Sequence, residues 1–336
     1  MSVYSPAPGA VGVLGTGSCL PRRVVPNSEV AAPAGVDEEW IVRKTGIRQR
    51  HYAAADEAAS DLAARAAERA LENAGLTPLD IDWILVATST PDHPQPATAA
   101  LVQHLLGAHG SVAFDVNAVC AGFVAALHTA VRLVAGPGIR GRALVIGAEV
   151  YSRILDPQDR RTAPLFGDGA GAVVVGPVTP ERGLVGTWLT TDGALHGLIG
   201  VPAGGSRLPA SLETVAKGEH YFTMRGRDVR TYVMRELPLA VGRLLSHLDI
   251  GADRVDHFVP HQANGAMLRE VWELLGLGRA RALMTVERHA NTGAASIPLA
   301  LDEANRAGTL AADELVLLAG FGGGMTTAAA LLRWGR

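Results

Sequence analysis

The chain has 336 residues, 48% of them hydrophobic and 19% charged, which supplies one large core or two joined ones and excludes general disorder. Its 30 basic and 33 acidic side chains leave a formal net charge of −3 with no basic tail, so nucleic acid is not an expected partner. Two cysteines, Cys19 and Cys120, make no disulfide framework; the N-terminus lacks a secretory signal pattern and no apolar run approaches the roughly 18 residues of a membrane span. The expectation is a cytoplasmic protein that does not touch a membrane.

In chain order, residues 1 to 8 read as a frayed end, followed by a strand from Val11 to Leu14 that leads into Gly15-Thr16-Gly17. The glycines do not form a dinucleotide loop, because Pro21 and Pro26 stand where the phosphate-binding helix would begin. A short amphipathic helix is predicted over Asp37 to Lys44, then a basic cluster of Arg48, Arg50 and His51. A helix from Ser60 to Asn73 ends at Gly75; Ile81 to Ala87 is a continuous apolar strand of the buried parallel kind; residues 91–96 form a loop, and Ala97 to Leu106 a further helix. The stretch Phe114 to Phe123 reads as a buried strand running into a helix with Cys120 at the junction. Phe123, Leu127, Ala130, Val131 and Val134 share one face of that helix, which Gly136-Pro137-Gly138 stops. A thiol at a helix N-terminus feels the positive end of the dipole, which favours the nucleophilic thiolate, and Gly122 leaves room for a close approach. Taken alone, Cys120 reads first as an inert core cysteine, because a free cysteine is among the most buried residue types.

The second half repeats the order of the first. Asp82 and Asp256 stand 174 positions apart in matching apolar strands; Cys120-Ala121-Gly122 and Asn291-Thr292-Gly293, 171 apart, each open a helix that ends at a glycine, Gly136 or Gly308. Arg142 to Gly147 matches Glu314 to Ala319 at 172, and each half closes on a glycine-rich turn and an apolar strand, at Phe166 to Val175 and at Phe321 to Leu332. The pattern predicts a duplicated α/β fold, residues 9–177 and 178–336, with two mostly parallel sheets packed through shared central helices. Residues 193–230 have no counterpart of similar length and are expected to form an excursion over the mouth of the site.

Equivalent turns of a duplicated fold face one another, so Cys120 and Asn291 are expected to converge. His261 opens His261-Gln262-Ala263-Asn264 just after a strand, where loops at carboxyl ends form ligand crevices. A Cys/His/Asn set suits acyl chemistry: the cysteine takes the acyl group as a thioester, while imidazole and amide act as base or hydrogen-bond donors. Singly, His261 also reads as a satisfied core histidine and Asn291 as a helix cap.

Asp115 to Phe123, Phe166 to Ala172, His261 to Asn264, Asn291 to Pro298 and Phe321 to Gly324 together resemble β-ketoacyl-(acyl carrier protein) synthase III of the thiolase superfamily, over essentially the whole chain. The resemblance implies decarboxylative condensation that starts a fatty-acid or polyketide chain. Cys120 would accept the acyl group from an acyl-coenzyme A, and His261 and Asn291 would hold a malonyl thioester, carried on acyl carrier protein, as it loses carbon dioxide. Backbone N–H groups of Cys120 and Gly323 would form the oxyanion hole. Trp40, Lys44, Arg160, Arg227, Asn264 and Phe321 fall at positions that contact substrate or coenzyme A, and Gln95 and Met325 at the acyl pocket, Gln95 reached across a homodimer. No permanently bound cofactor and no metal is implied; the coenzyme A thioester is substrate. The chain departs from the family pattern at Lys44 (usually arginine), Arg227 (asparagine), Ala266 (an arginine that docks the carrier protein), Gln95 (an aromatic) and Met325-Thr326-Thr327. Two other readings are an acyltransferase that passes the acyl group to an oxygen or nitrogen nucleophile, and a non-catalytic partner subunit. The first would not need Asn291, and the second would not need Cys120, His261 and Asn291 together.

Overall fold

The alternation of apolar strand runs with amphipathic helical stretches is realised along the whole of the described chain. The computed structural model describes residues 2–4, 10–135 and 141–335; the predicted helix stop at Gly136-Pro137-Gly138 lies outside them. The first half runs β1 (Ser2–Tyr4), β2 (Val11–Cys19), β3 (Arg23–Pro26), α1 (Asn27–Ala31), α2 (Glu38–Thr45), β4 (Gln49–Tyr52), α3 (Ala59–Ala74), β5 (Trp83–Ala87), α4 (Thr98–Leu106), β6 (Val112–Val116), α5 (Gly122–Val134), β7 (Ala143–Glu149) and β8 (Gly169–Pro177). The second runs β9 (Gly183–Thr191), β10 (Ile199–Gly200), α6 (Leu212–Ala216), β11 (Thr223–Met224), α7 (Gly226–His247), β12 (His257–Pro260), α8 (Gly265–Leu274), β13 (Arg281–Ala282), α9 (Val286–His289), α10 (Ser296–Arg306), β14 (Leu315–Gly322) and β15 (Thr326–Arg333).

Among the described residues the two large sheets have the orders β2-β8-β7-β5-β6 and β1-β9-β15-β14-β12-β13. With β1 set aside, the second order is the first repeated, β9 for β2 through to β13 for β6, so the duplication read from sequence is a duplication of topology. The sheets are mixed rather than mostly parallel. Strands β7, β5 and β6, up to the β6 edge, pair in parallel, as do β14, β12 and β13, whereas β8 and β2, and β15 and β9, add antiparallel strands. The reason is visible at β14 and β15, where three residues make the connection and a parallel crossover needs a dozen or more. Residues 2–4 are not frayed: β1 pairs antiparallel with β9 and extends the second sheet.

Helices α5 and α10 lie between the sheets, and one hydrophobic core joins Leu127 and Val131 of α5 and Ile297 and Leu301 of α10 to strands of both halves. Outer layers complete the stack, α3 and α4 on the first sheet and α7 and α8 on the second. Helix α3 ends where the sequence predicts, at Gly75, whose φ of 70° caps it in the left-handed conformation.

The strand predicted to end at Leu14 runs on through Gly15-Thr16-Gly17 to Cys19, and its glycines serve close packing: a methyl on Gly17 would lie 2.3 Å from the Ala66 carbonyl oxygen, and one on Gly15 2.5 Å from that of Ala70, both in α3. In the basic cluster at residues 48–51, the Arg50 guanidinium is buried and donates to Asn27 Oδ1 at 2.8 Å and to the Pro164 carbonyl at 2.9 Å. Among the described residues no helix is long and apolar enough to cross a membrane.

Gly17→Ala is expected to destabilise the protein by about 1–3 kcal/mol through overpacking against α3, whereas Gly197→Ala, with no atom within 4 Å of the added methyl, leaves stability unchanged. Denaturant midpoints of the two variants decide it; equal midpoints would refute the packing account.

Candidate active site

Cys120 enters its position through a sharp turn. β6 ends at Val116, a 3-10 turn spans Val119–Ala121, and α5 begins at Gly122. Val119, a β-branched residue, sits at φ 49°, and its amide is held by Asn117 Oδ1 at 3.2 Å. Ala290, which precedes Asn291, likewise has φ 57°. Each such conformation costs about 1–3 kcal/mol and persists only where surrounding structure imposes it. The turns that carry Cys120 and Asn291 in the two duplicated halves therefore share one backbone device.

Asn291 is fixed on both sides. Its N–H donates to the Leu165 carbonyl at 2.9 Å, its carbonyl accepts from Gly167 N at 3.0 Å, and its Oδ1 accepts from Gly293 N at 2.9 Å, which leaves the amide nitrogen as the donor end available to the cavity. It is not a helix cap. His261 follows β12, tied by its N–H to the Ala319 carbonyl at 2.8 Å, with Nδ1 2.8 Å from the Ser296 hydroxyl and its ring edge-on to Phe321 at 5.1 Å. Burial holds its imidazolium pKa down at about 3, so the ring is neutral at physiological pH. Gln262 beside it spends both ends on backbone, donating to the Pro260 and Leu283 carbonyls and accepting from Thr285 N and Val286 N.

The thiol does not behave as the helix position alone predicts. Burial, then the charge of Glu149, push Cys120 up, so in the resting protein it is a thiol rather than a thiolate. Desolvation is the largest cause of the shift, and the end of β14 packs directly on the backbone of the Cys120 turn. A methyl on Gly322 would lie 2.6 Å from Cys120 N and 3.1 Å from Ala121 N, so that strand can rest on the nucleophile's turn only where it carries no side chain.

Cys120, His261 and Asn291 line one cavity of about 270 Å³. Trp40, Lys44, Arg160, Asn264 and Phe321 line the same cavity. Asn264 is also the cap of α8, accepting from Met267 N at 3.0 Å, and its amide donates to the Lys44 carbonyl at 3.2 Å. Other expected positions fall elsewhere. Arg227 is exposed outside the cavity wall, which takes Gly226 and Arg230 from its helix instead, because the first turn of α7 directs residue 227 away. Met325 is fully buried in the second outer core and does not line the cavity. Its carbonyl accepts from Tyr232 Oη and Asp192 N, which hold it there. Gly323 is not a lining residue; Gly322 is. Gln95 is on an exposed loop and does not reach this chain's cavity.

The excursion at 193–230 supplies cavity wall as expected, through Ile199, Phe222 and Met224. Sequence reasoning did not single out these residues, nor Arg161, whose neighbour Arg160 was the only one that a motif pointed to. It also missed Glu149, Ser89 and Tyr151, a largely buried polar group next to the nucleophile.

A family model described as 3-oxoacyl-[acyl-carrier-protein (ACP)] synthase III matches residues 114–193, and that for the C-terminal part of the same synthase matches residues 245–334. A β-ketoacyl-[acyl-carrier-protein] synthase III of Erythrobacter litoralis (strain HTCC2594) is 47% identical over 96% of this chain and 98% of its own length. The chain belongs to the 3-oxoacyl-(acyl carrier protein) synthase III family. Acetoacetyl CoA synthase NphT7 of Streptomyces sp. (strain CL190) is 55% identical over 96% of this chain and 98% of its own. The crystal structure of the synthase III from Pseudomonas aeruginosa PAO1 has the same fold at TM-score 0.88 and 39% identity, covering 97% of this chain and 99% of that one. This member is accordingly a ketosynthase III-type condensing enzyme, an acyltransferase with the thiolase-like fold.

With its pKa lowered to about 3, His261 is expected to show no imidazolium between about pH 5 and pH 8, read from its ring nitrogen shifts in an NMR titration. A midpoint near the ordinary value of about 6.5 would refute the neutral-ring reading.

Proposed function

We propose that Cys120 takes the acyl group of an acyl-coenzyme A as a thioester, and that His261 and Asn291 then stabilise the enolate formed when a malonyl thioester loses carbon dioxide. The enolate carbon attacks the acyl-cysteine, and collapse of the tetrahedral intermediate releases the β-ketoacyl product and the cysteine. The single observation that carries this reading is that a thiol, a neutral imidazole and an amide with its oxygen already engaged line one cavity. A developing enolate oxygen needs donors and no competing strong base, and in the tautomer in which Nδ1 accepts from the Ser296 hydroxyl, 2.8 Å away, the His261 ring carries its proton on Nε2. Backbone N–H groups at Cys120 and the 322–323 turn serve the oxyanion of the acyl-transfer step.

The mouth suits coenzyme A. Lys44, Arg160, Arg161 and Arg230 place positive charge around the opening, and Trp40 offers a flat face for a base. The acceptor malonyl group is carried on acyl carrier protein or on coenzyme A. The second carrier is favoured by the 55% identical relative named for acetoacetyl CoA synthesis and by Ala266, which puts no positive charge at the start of α8. A homodimer with a cytoplasmic location completes the reading. β6 is an edge strand with Val112 half exposed, so a second copy can pair there and bring its Gln95 loop to this cavity.

Cys120→Ala is expected to abolish acyl transfer to the protein, read as added mass on the Cys120 peptide, with the fold intact. Asn291→Ala should slow malonyl decarboxylation by about 100- to 1,000-fold while leaving self-acylation nearly unchanged, assayed in parallel with malonyl-coenzyme A and malonyl-carrier protein. Equal loss in both steps would remove Asn291 from the enolate role.

Sedimentation should report a mass of two chains, and Val112→Asp at the β6 edge should shift it toward one. A wild-type monomer contradicts the dimer.

A further inference from the structure

The acylation step leaves a proton without a destination. A Cys120 thiol that attacks an acyl thioester must give up its proton, and the imidazole in the cavity is neutral and too weakly basic to accept it efficiently, because a general base works best with a pKa near the operating pH. The helix dipole does not remove the problem, since the sulfur is protonated at rest.

Next to Cys120, among residues that do not line the cavity, lies a largely buried polar chain that the proposed reaction does not use. Tyr151 neighbours Cys120 closely enough for each side chain to shift the ionisation of the other. Tyr151 Oη is 2.9 Å from Ser89 Oγ, and Ser89 Oγ donates to Glu149 Oε1 at 2.9 Å. Glu149, at the end of β7, is fully buried and pairs with no cation. It is held by hydroxyls and amides: Thr90 Oγ1 at 2.6 Å, Thr88 Oγ1 at 3.5 Å, Ser89 N at 3.2 Å and Ala294 N at 3.4 Å. The ring of Tyr151 is locked by stacking on Phe166 at 4.4 Å and by Phe222 at its edge. A rigid chain of three oxygens thus joins the nucleophile to one carboxylate, in a protein interior that otherwise tolerates an unpaired carboxylate poorly.

We propose that Tyr151, Ser89 and Glu149 form a proton relay for Cys120, with Glu149 holding the thiol proton between the two half-reactions. The inference rests on Cys120 as the acyl acceptor. In the first half-reaction the thiol proton passes to Tyr151 Oη, the tyrosine proton to Ser89 Oγ and the serine proton to a Glu149 carboxylate oxygen. The sulfur lone pair attacks the thioester carbonyl, the bond to the coenzyme A sulfur breaks, and the coenzyme A thiolate takes a proton from solvent. In the second half-reaction the enolate attacks the acyl-cysteine, the Cys120 thiolate leaves, and the proton returns along the same three oxygens. Atoms and charges balance, with one solvent proton consumed per carbon dioxide released.

Burial raises the Glu149 carboxyl to about 7, a value matched to taking a proton and returning it near neutral pH. The titratable groups that face it are Tyr151 and Cys120; the residues that reach it from the 88–90 segment and from residues 293–294 carry no charge. Tyr151 stands next to the reacting sulfur, whereas Glu149 acts through Ser89 and Tyr151 as a positioning residue that also stores the proton.

The test is single-turnover acylation of the full chain with acetyl-coenzyme A, from about pH 5.5 to about pH 9, beside malonyl-coenzyme A decarboxylation. In the wild type the acylation rate should rise as Glu149 ionises through about pH 7 and then level. Glu149→Gln keeps the shape and removes the acceptor, and should slow acylation by about 100-fold or more while losing that limb of the profile. Tyr151→Phe should do the same with Glu149 left in place, and it keeps the ring stack if the glutamine variant does not fold. In both, the ratio of acylation to decarboxylation should fall by about the same factor. Variants that acylate at the wild-type rate, that keep the limb, or that lose both steps equally would overturn the relay, the last by showing a structural role. A wild type that is never acylated at Cys120 would instead overturn the assignment of the nucleophile.

Discussion

The constraint on which the rest of this structure depends is the contact between the N-terminal turns of α5 and α10 at the centre of the molecule. A methyl on Gly147 of β7 would lie 2.3 Å from the Ala294 carbonyl, and one on Gly122 would lie 3.3 Å from the Ala87 methyl and in ordinary contact with that of Ala294. Two helices from two halves can meet end to end only where small residues line the meeting point. The amphipathic faces behind these ends then bury into one core shared by both sheets. The reacting residues sit where they do because the helix starts do.

The paired strain at Val119 and Ala290 follows from the same arrangement. The chain turns sharply before each central helix, after β6 in the first half and after α9 in the second, and each turn holds one residue at positive φ. Such turns hold when the flanks are over-determined, and here they are. The Asn291 backbone is clamped between Leu165 and Gly167, and the Cys120 turn is covered by the bare backbone at Gly322. The halves have diverged in chemistry while keeping this geometry: one places a sulfur at the turn and the other an amide.

Electrostatically the site is divided. On the cavity side it holds neutral donors, and its positive charge is kept at the mouth, where water still screens it. Among residues that do not line the cavity it holds a carboxylate with no counter-ion, satisfied by hydroxyls and amides. An imidazole is kept neutral and a thiol kept protonated by one cause, the removal of water from around both.

Duplication, the strand and helix order, the starts and stops of α2, α3 and α4, and the convergence of Cys120, His261 and Asn291 on one cavity were all legible in the sequence. Periodicity and repeat are properties of consecutive residues, and the motifs at 120, 261 and 291 are short and local. The antiparallel edges, the role of Gly15 and Gly17, the burial of Arg50 and the true lining of the cavity were decided by tertiary structure. Each depends on what stands opposite a residue, and nothing in a local stretch records that. Met325 follows three glycines that border the site, yet its side chain turns into the core behind them. Glu149 ends an apolar strand and reads there as an ordinary exposed terminus, but the fold closes the 88–90 segment and the start of α10 over it and leaves it buried near the nucleophile. The sequence placed a thiol at a helix start, where dipole reasoning makes it a thiolate; only the packing around it removed the water and kept the proton on.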